Sequence, residues 1–572
     1  MTVAAPLSGS IGAYGPGKVT LAQAPGTADS LSVGYGATLV MPPGGEIAGA
    51  LSIQEKGRLV LDVSNLARGA HATVAFGAAP VLPAGGTVHD YVSTTASEGY
   101  MLTLSADGRT LHVNDPLVAV SAEWNGGAGG DAKNPSNWEC RNFCGDVVQD
   151  VLPGVYTTDV KLNADCDLSG WGTPVFANGV AIDLNGHELK VADFDDAGYP
   201  GAAVSNSASS TTASLVVEVA AGRSARIASA LIDGNVRLVK TGGGTLVAAK
   251  GSQTFVGGTE IRDGVLETGI DPRNFPHGAR GSVITVLADG ESNGVFDLGG
   301  FVAHGGAVGA GYAFVLDGGV IRNTGGNLDV TWGQLADVRL AADSEFQVAR
   351  NWGIMQSATT LDLGGHSLKI AIGSDGRNFL LHNCEVKNGF VDVVSGGWFQ
   401  SGLDHYDGNK PNVATNVDFR FNCALKIYAP LSVRNYEQVY GYNNNDGTGV
   451  FSVHGTFKPA AHDYFYGVTM MGGSTIDLSR RTSALPLTSS FTTGRNTIDF
   501  AANAKVTVDL SGHADVAALA KSGDYVVTWT EATAPGADVT FRLDAATAAK
   551  YTLKADATGL RLGRGGFMLI VR

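Results

Sequence analysis

Short apolar strands with polar residues interleaved, each opened by a glycine turn, recur along this chain at a nearly fixed interval. Gly36-Ala37-Thr38-Leu39-Val40 is followed 21 residues later by Gly57-Arg58-Leu59-Val60-Leu61, and Gly244-Thr245-Leu246-Val247 is followed 20 residues later by Gly264-Val265-Leu266-Glu267. An interval in this range is one turn of a repeat architecture. No amphipathic helical pattern lies between the frames, so a strand can cover its apolar face only by stacking on the next one. The pattern predicts an all-β chain, an elongated parallel β-helix or solenoid closed by small β-hairpin caps. Short helices are expected only near 514–521 and 545–550.

A second phrase marks strand ends: Ile182-Asp183-Leu184-Asn185-Gly186-His187, Phe296-Asp297-Leu298-Gly299-Gly300, Leu361-Asp362-Leu363-Gly364-Gly365-His366, Ile476-Asp477-Leu478-Ser479 and Val508-Asp509-Leu510-Ser511-Gly512-His513. Apolar residues flank one Asp, so period-two alternation sends both inward and the Asp outward or onto a turn. The regularity predicts a structural role for these aspartates, with His187, His366 and His513 as turn residues.

Two distant stretches end alike. The strand Leu59 to Leu61 leads on to Tyr100-Met101-Leu102-Thr103-Leu104 and Leu111-His112-Val113, and the strand Val506 to Leu510 leads on to Tyr551-Thr552-Leu553 and Leu560-Arg561-Leu562. Each reads as a last coil followed by a hairpin that shields the terminal apolar layer. Residues 1–116 are therefore expected to be the C-terminal part of a first β-helix module with its cap, 122–505 a second module, and 506–572 its terminal coil and β cap. A chain that opens in the tail of a module is expected to lack a segment upstream, and an export signal with it. Met1 to Ala5 has neither the charged start nor the apolar core of a signal peptide, and no run approaches the ~18 apolar residues of a membrane span.

Composition sharpens this picture. Glycine, at 79 of 572 residues, is about twice its usual share without a collagen period, and serves turns. Of 54 acidic residues 40 are Asp and 14 Glu, a bias toward turns and strand ends over helices. Calcium ligation is the other reading of that excess. With 39 basic residues the net charge is -15, which disfavours a duplex-binding role, because phosphate neutralisation needs clustered Lys and Arg, and no nucleic-acid partner is expected. Five cysteines make neither a dense disulfide framework nor a zinc module. Cys140 and Cys144 are placed to bridge each other or to leave a partner for Cys166. Cys384 and Cys423 open two similar segments 39 residues apart, near two repeats. Disulfides among Cys140, Cys144, Cys384 and Cys423 stand against buried thiols serving as small apolar groups.

Residues 241–267 carry a Gly-rich start, the strand Thr245-Leu246-Val247, the phrase Gln253-Thr254-Phe255, then Gly257-Gly258-Thr259 and Gly264-Val265-Leu266. This resembles the autotransporter-associated β-strand repeat of bacterial passenger-type surface proteins, with Gln-Thr-Phe standing where that repeat has an Asn-Thr-Tyr-like phrase. The opening Trp124 to Trp138 segment is similar to the Trp-Gly-rich, Asn-Trp start of large surface proteins that carry such repeats. The resemblance implies a β-helix, export to the cell surface or beyond, and no shared catalytic residues.

Three places carry residues with chemical potential. Gly126-Gly127-Ala128-Gly129-Gly130-Asp131 matches one copy of the Gly-Gly-x-Gly-x-Asp calcium nonapeptide, and a single copy lacks its second half-site. Asp165-Cys166-Asp167-Leu168-Ser169-Gly170 matches the first half of an EF-hand loop, but Phe176 stands where a bidentate Glu is needed. The stretch Trp398 to Met471 holds 14 Phe, Trp or Tyr in 74 residues. It brings Trp398, Asp404, His405, Tyr406, Asp407 and Lys410 together as stacking and hydrogen-bonding groups suited to a glycan. His454 and His462-Asp463-Tyr464-Phe465-Tyr466 lie further along it. Against this stands core filling by the aromatics and a solvated Asp-His-Tyr-Asp-Gly loop. The expectation is a non-enzymatic exported surface protein acting as stalk, coat or adhesin. Its partner would be a glycan or other cell-surface polymer, with self-association open and no cofactor beyond the calcium alternative. The alternative function is a glycan-active β-helix enzyme, a polysaccharide lyase or hydrolase with its base or paired carboxylates on one exposed face.

Overall fold

The computed structural model describes residues 1–572 apart from 6, 67–71, 96–99, 115–118, 128, 143–145, 154–157, 172–179, 195–202, 271–275, 280, 290–291, 301–311, 326–336, 356–359, 374–376, 403–411, 441–449, 460–466, 482–486, 489–497, 530–533 and 565–572. The chain is all-β with long parallel sheets. Two of the short helices among the described residues, Val516–Ser522 and Ala545–Ala548, lie where the sequence predicts them. A third, Val88–Tyr91, escaped the pattern; Asp90 accepts the amide of Thr87 at its start. No described helix is long and apolar enough to cross a membrane. Packing divides the chain into two compact units, Met1–Asp167 with Phe176–His187 and Leu168–Val175 with Glu188–Arg572.

In the first unit, strands Thr2–Val3, Gly17–Leu21, Ala37–Met41, Arg58–Leu61 and Val92–Thr94 pair in that order, all in parallel. Val19, Leu39, Leu59 and Val92 share one register column. The step between Leu39 and Leu59 is 20 residues, not the 21 of the glycine frame. One residue of slip would turn Leu39 and Leu59, both fully buried, out of the core. The left-handed turn position falls accordingly on Gly36 (φ 68°) and Lys56 (φ 62°), and Gly57 is the first residue after the turn. A second sheet carries Gly9–Ala13, Thr27–Val33, Glu46–Ile47 and Ala72–Phe76, and ends in the antiparallel hairpin Met101–Leu104 with Thr110–Asn114. Leu31, Leu51, Val74 and Leu111 join Leu39 and Leu59 in one core. Ser121–Trp124 pairs antiparallel with Trp138–Arg141 and parallel with Asp159–Leu162.

The second unit extends the same rule. Ala225, Leu246, Leu266, Phe296, Ile321, Phe346, Ile370, Val393 and Phe421 occupy one column of consecutive parallel strands, and every one is buried. The register step is 20 from Leu246 to Leu266, as the repeat predicts, but 30 from Leu266 to Phe296 and 28 from Val393 to Phe421. Chain length between strands is free to vary because only the ladder residues are constrained by pairing and burial. Tyr551–Ala555 and Gly559–Arg564 form an antiparallel hairpin at the predicted terminal position.

An outward column alternates in sign: Glu345, Lys369, Asp392, Arg420, Glu437 and Lys458 follow one another in register. Lys369 lies 3.2 Å from Glu345, and Arg420 3.9 Å from both Asp392 and Glu437. Cross-strand opposite charges favour this alignment, although each half-exposed pair contributes little alone. Phe421→Ala is expected to cost about 3–5 kcal/mol, as for a buried aromatic removed from a packed column, whereas Lys369→Glu should cost under about 1 kcal/mol. Denaturant unfolding of both variants checks this, and a near-neutral Phe421→Ala would contradict the column.

Candidate functional site

The strand Glu385–Ser401 carries Trp398, which pairs in register with Asn378 on one side and Ala424 on the other. Its indole is half-buried and the ammonium of Lys426 lies 4.6 Å from the ring centroid, a cation–π contact. Asp404, His405, Tyr406, Asp407 and Lys410, and the segment His462 to Tyr466, lie outside the described residues. His454 is on the surface, its Nε2 3.0 Å from the Ser432 hydroxyl.

Six aromatics of this stretch are core. Phe399, Phe419, Phe421, Tyr436, Phe451 and Phe457 are buried, with ring centroids 5.0 Å apart for Phe399 and Phe421 and 4.5 Å for Tyr436 and Phe451. Inward positions of these strands are spaced for stacking, and large rings fill the space as edge and offset contacts. The one hydroxyl buried with them, on Tyr436, donates to Gln438 Oε1 at 2.7 Å. For these six residues the core-filling alternative holds, and Trp398 is the one described residue of the proposed glycan set.

The repeated aspartates act as turn caps. Asp183, Asp297, Asp362, Asp477 and Asp509 each accept the backbone amide two residues on, closing the turn that follows the strand. The amides of His187, His366 and His513 close the same turns on Leu184, Leu363 and Leu510, as predicted for turn residues. Asp297 departs from the expected outward placement because it is fully buried. It receives Arg322 Nε at 2.8 Å, the Thr324 hydroxyl at 2.6 Å and the amides of Gly299 and Thr324. Glu267 is its register neighbour, and burial followed by the Asp297 charge pushes the Glu267 carboxyl up. Four donors occupy the acceptor sites of Asp297, which makes it an anchor for the adjacent turn.

Gly126, which opens the calcium-like glycine run, lies against Trp124, whose ring is 4.9 Å from that of Trp138. A Cβ on Gly126 would come 2.3 Å from the Trp124 ring. Asp131 accepts the amide of Lys133, and the Trp138 indole donates to Ala132 O. In the half EF-hand phrase, Asp165 lies 3.6 Å from His187 Nδ1. Among the described residues no three His, Cys, Asp or Glu are grouped to hold a metal ion.

The thiols of Cys140, Cys166, Cys384 and Cys423 are free and buried, and Cys144 lies outside the described residues. Cys384 and Cys423 are not two register steps apart: Asn412, 28 residues on, accepts the Cys384 amide, and Cys423 lies further along the same strand, Asn412–Ile427. Desolvation pushes the thiols of Cys166, Cys384 and Cys423 up to about 12.

Three buried polar groups were not recognised from the sequence. Lys240 occupies an inward position between Val217 and Ile261, and its ammonium donates to the carbonyls of Thr241, Gly242 and Asp263. Burial lowers it to about 8. Strict alternation from Leu238 would have placed this lysine inside. His277 is fully enclosed beside Phe296 and Tyr312, with Nε2 3.0 Å from the Thr268 hydroxyl, and burial lowers it to about 3. Asn412 donates to Leu381 O and Ser401 Oγ.

No protein-family model, curated protein or solved structure matches this chain.

At about pH 8, where an ordinary cysteine is partly thiolate, Cys166, Cys384 and Cys423 are expected to resist alkylation in the native protein. They should react after denaturation; native alkylation at Cys384 or Cys423, read by mass spectrometry, would contradict their burial. His277 is held neutral when folded, so its contribution is complete above its unfolded value of about 6.5. That contribution declines as pH falls toward about 3. The melting temperature of the native protein should therefore fall more steeply than that of His277→Gln between about pH 6.5 and 4.5, above the main carboxylate range.

Proposed function

We propose that this chain is a parallel β-helix scaffold from an exported bacterial surface protein of the autotransporter-associated repeat kind. It serves as a stalk, coat component or adhesin without catalysis of its own, and a glycan or other cell-surface polymer is its expected partner. The observation that carries the reading is the run of parallel strands returning to the same buried column from Ala225 to Phe421. Each strand of such a column is paired on both sides, which suits a load-bearing spacer better than a hinged enzyme.

The resembling segment fits that role in its details. Thr245–Ala248 and Val265–Thr268 pair in parallel exactly one 20-residue repeat apart, and Thr259–Ile261 follows Gly257 and Gly258. In the variant phrase, Gln253 is buried and its amide bridges Ala230 O and the Ile232 amide. Phe255 is fully buried and brings no hydroxyl that would need a partner. In this chain the Gln-Thr-Phe phrase thus has its polar group paired and its ring in the core. The hairpin 101–114 pairs antiparallel onto Ala72–Phe76 and so ends that parallel sheet, which supports its reading as a cap, whereas the hairpin 551–564 belongs to a separate small sheet with Tyr525–Thr528 and Leu487–Thr488.

Antiserum raised against this chain should label intact cells of the source organism, and brief external proteolysis should remove the signal. Labelling that appears only after lysis would overturn export and with it the surface role.

A further inference from the structure

We propose that one edge of the first unit, built by Tyr14, Tyr35, Lys56 and Arg58, binds an acidic polysaccharide, with pyranose rings stacking on the tyrosines and carboxylate or sulfate groups pairing with the cations. Register places three turns side by side: Ala13 pairs with Val33, Gly17 with Ala37, and Thr38 with Arg58. The turns at 14–17, 34–37 and 54–57 are therefore consecutive. Gly15, Gly36 and Lys56 all take the left-handed conformation there, which fixes the direction in which each turn presents its neighbours.

Tyr14 and Tyr35 are 73% and 53% exposed, the two most exposed aromatic side chains among the described residues. The Tyr14 ring lies against two glycines. A Cβ on Gly12 would come 2.4 Å from Cε2, and one on Gly34 would come 2.8 Å from Cδ1. The backbone thus supports the ring from beneath while the rest remains open to solvent. A tyrosine left in water contributes nothing to the core, whereas a ring supported on one side and open on the other is a stacking platform.

Charge defines the partner. Lys56 Nζ lies 5.2 Å from the Tyr35 ring centroid, and Arg58 Cζ lies 5.2 Å from that of Tyr91. Lys18, Thr38 and Arg58 form one outward column on the adjoining strands, with both cations exposed. Glu55 is the exposed acid of the third turn, and the nearby Asp90 carboxylate is turned into the cap at Thr87. Asp62 lies within electrostatic reach of Lys18 and Asp90 of Arg58, but the first accepts the Ser64 amide and Thr95 hydroxyl and the second the Thr87 amide and hydroxyl, so Lys18, Lys56 and Arg58, interleaved with aromatic rings, are the groups this edge offers to an incoming anion. The strand carrying Trp398 belongs to the other unit, so this surface stands or falls independently of it.

Affinity electrophoresis of the full chain through polygalacturonate or hyaluronan, with dextran as the neutral control, tests the proposal. Retention by the acidic polymers, weakening with salt, is expected. Tyr14→Ala/Tyr35→Ala should reduce affinity about tenfold or more with the melting temperature unchanged, and Lys18→Glu/Lys56→Glu should abolish the preference for acidic over neutral polymer. Trp398→Ala should leave this retention intact, which separates its failure from that of the glycan reading at Trp398. Absence of retention on acidic polymer, equal retention of the tyrosine variant, or preferential binding of single-stranded DNA would overturn it.

Discussion

Each strand of this chain depends on the register of the strands before and after it. In a parallel ladder the backbone hydrogen bonds of one strand are completed only by its neighbours, and the period of two fixes which side chains face inward. A column such as Leu246, Leu266, Phe296 and Ile321 is therefore both the hydrophobic core and the alignment device. Slipping one residue would expose every member of the column together. This explains why the interval between strands ranges widely while the inward positions stay apolar: pairing constrains the ladder, and the connecting chain is free.

The same constraint governs the polar groups. A polar side chain that register places inside has to be paired within its own turn or by a neighbouring strand, since an unpaired group would cost several kcal/mol, roughly 2–7 for an amide or hydroxyl. Lys240 meets three carbonyls, Asp297 meets four donors, and Asn412 ties Cys384 to Leu381 and Ser401. At the strand ends the repeated aspartates cap the amide two residues on, and neighbouring segments add further bonds, as Arg322 and Thr324 do at Asp297 and Asn388 at Asp362. The outward column from Glu345 to Lys458 adds a charge pattern that agrees with the apolar one. Agreement between these levels is what lets a long stack choose one alignment among many similar ones.

Much of this was legible in the sequence because it is local. Alternation identified the strands, the Gly244 and Gly264 frame gave the correct step, and the hairpins near Tyr100 and Tyr551 announced themselves by strand, turn and strand. In the first unit the glycines are 21 residues apart while the ladder step from Leu39 to Leu59 is 20, because Lys56 and not Gly57 fills the left-handed position of that turn. The aromatic count over Trp398 to Met471 left a binding face and core filling both open, because composition does not say which side of a strand a ring occupies; Phe399, Phe421 and Tyr436 lie inside. Tyr14 and Tyr35 drew no notice for the opposite reason: two tyrosines beside glycines look like ordinary turn residues until register sets their turns next to each other.

The central claim is that consecutive strands of the second unit stand in parallel register along single columns. Nitroxide labels at Glu345 and Lys369, outward neighbours in the register, test it most directly by continuous-wave electron paramagnetic resonance. The account requires strong dipolar broadening, because the two backbones are about 4.8 Å apart. The pair Glu345 and Asp392, two strands apart, should show markedly weaker coupling. Spectra without broadening for Glu345 and Lys369, or equal coupling in the two pairs, would contradict the register on which everything else rests.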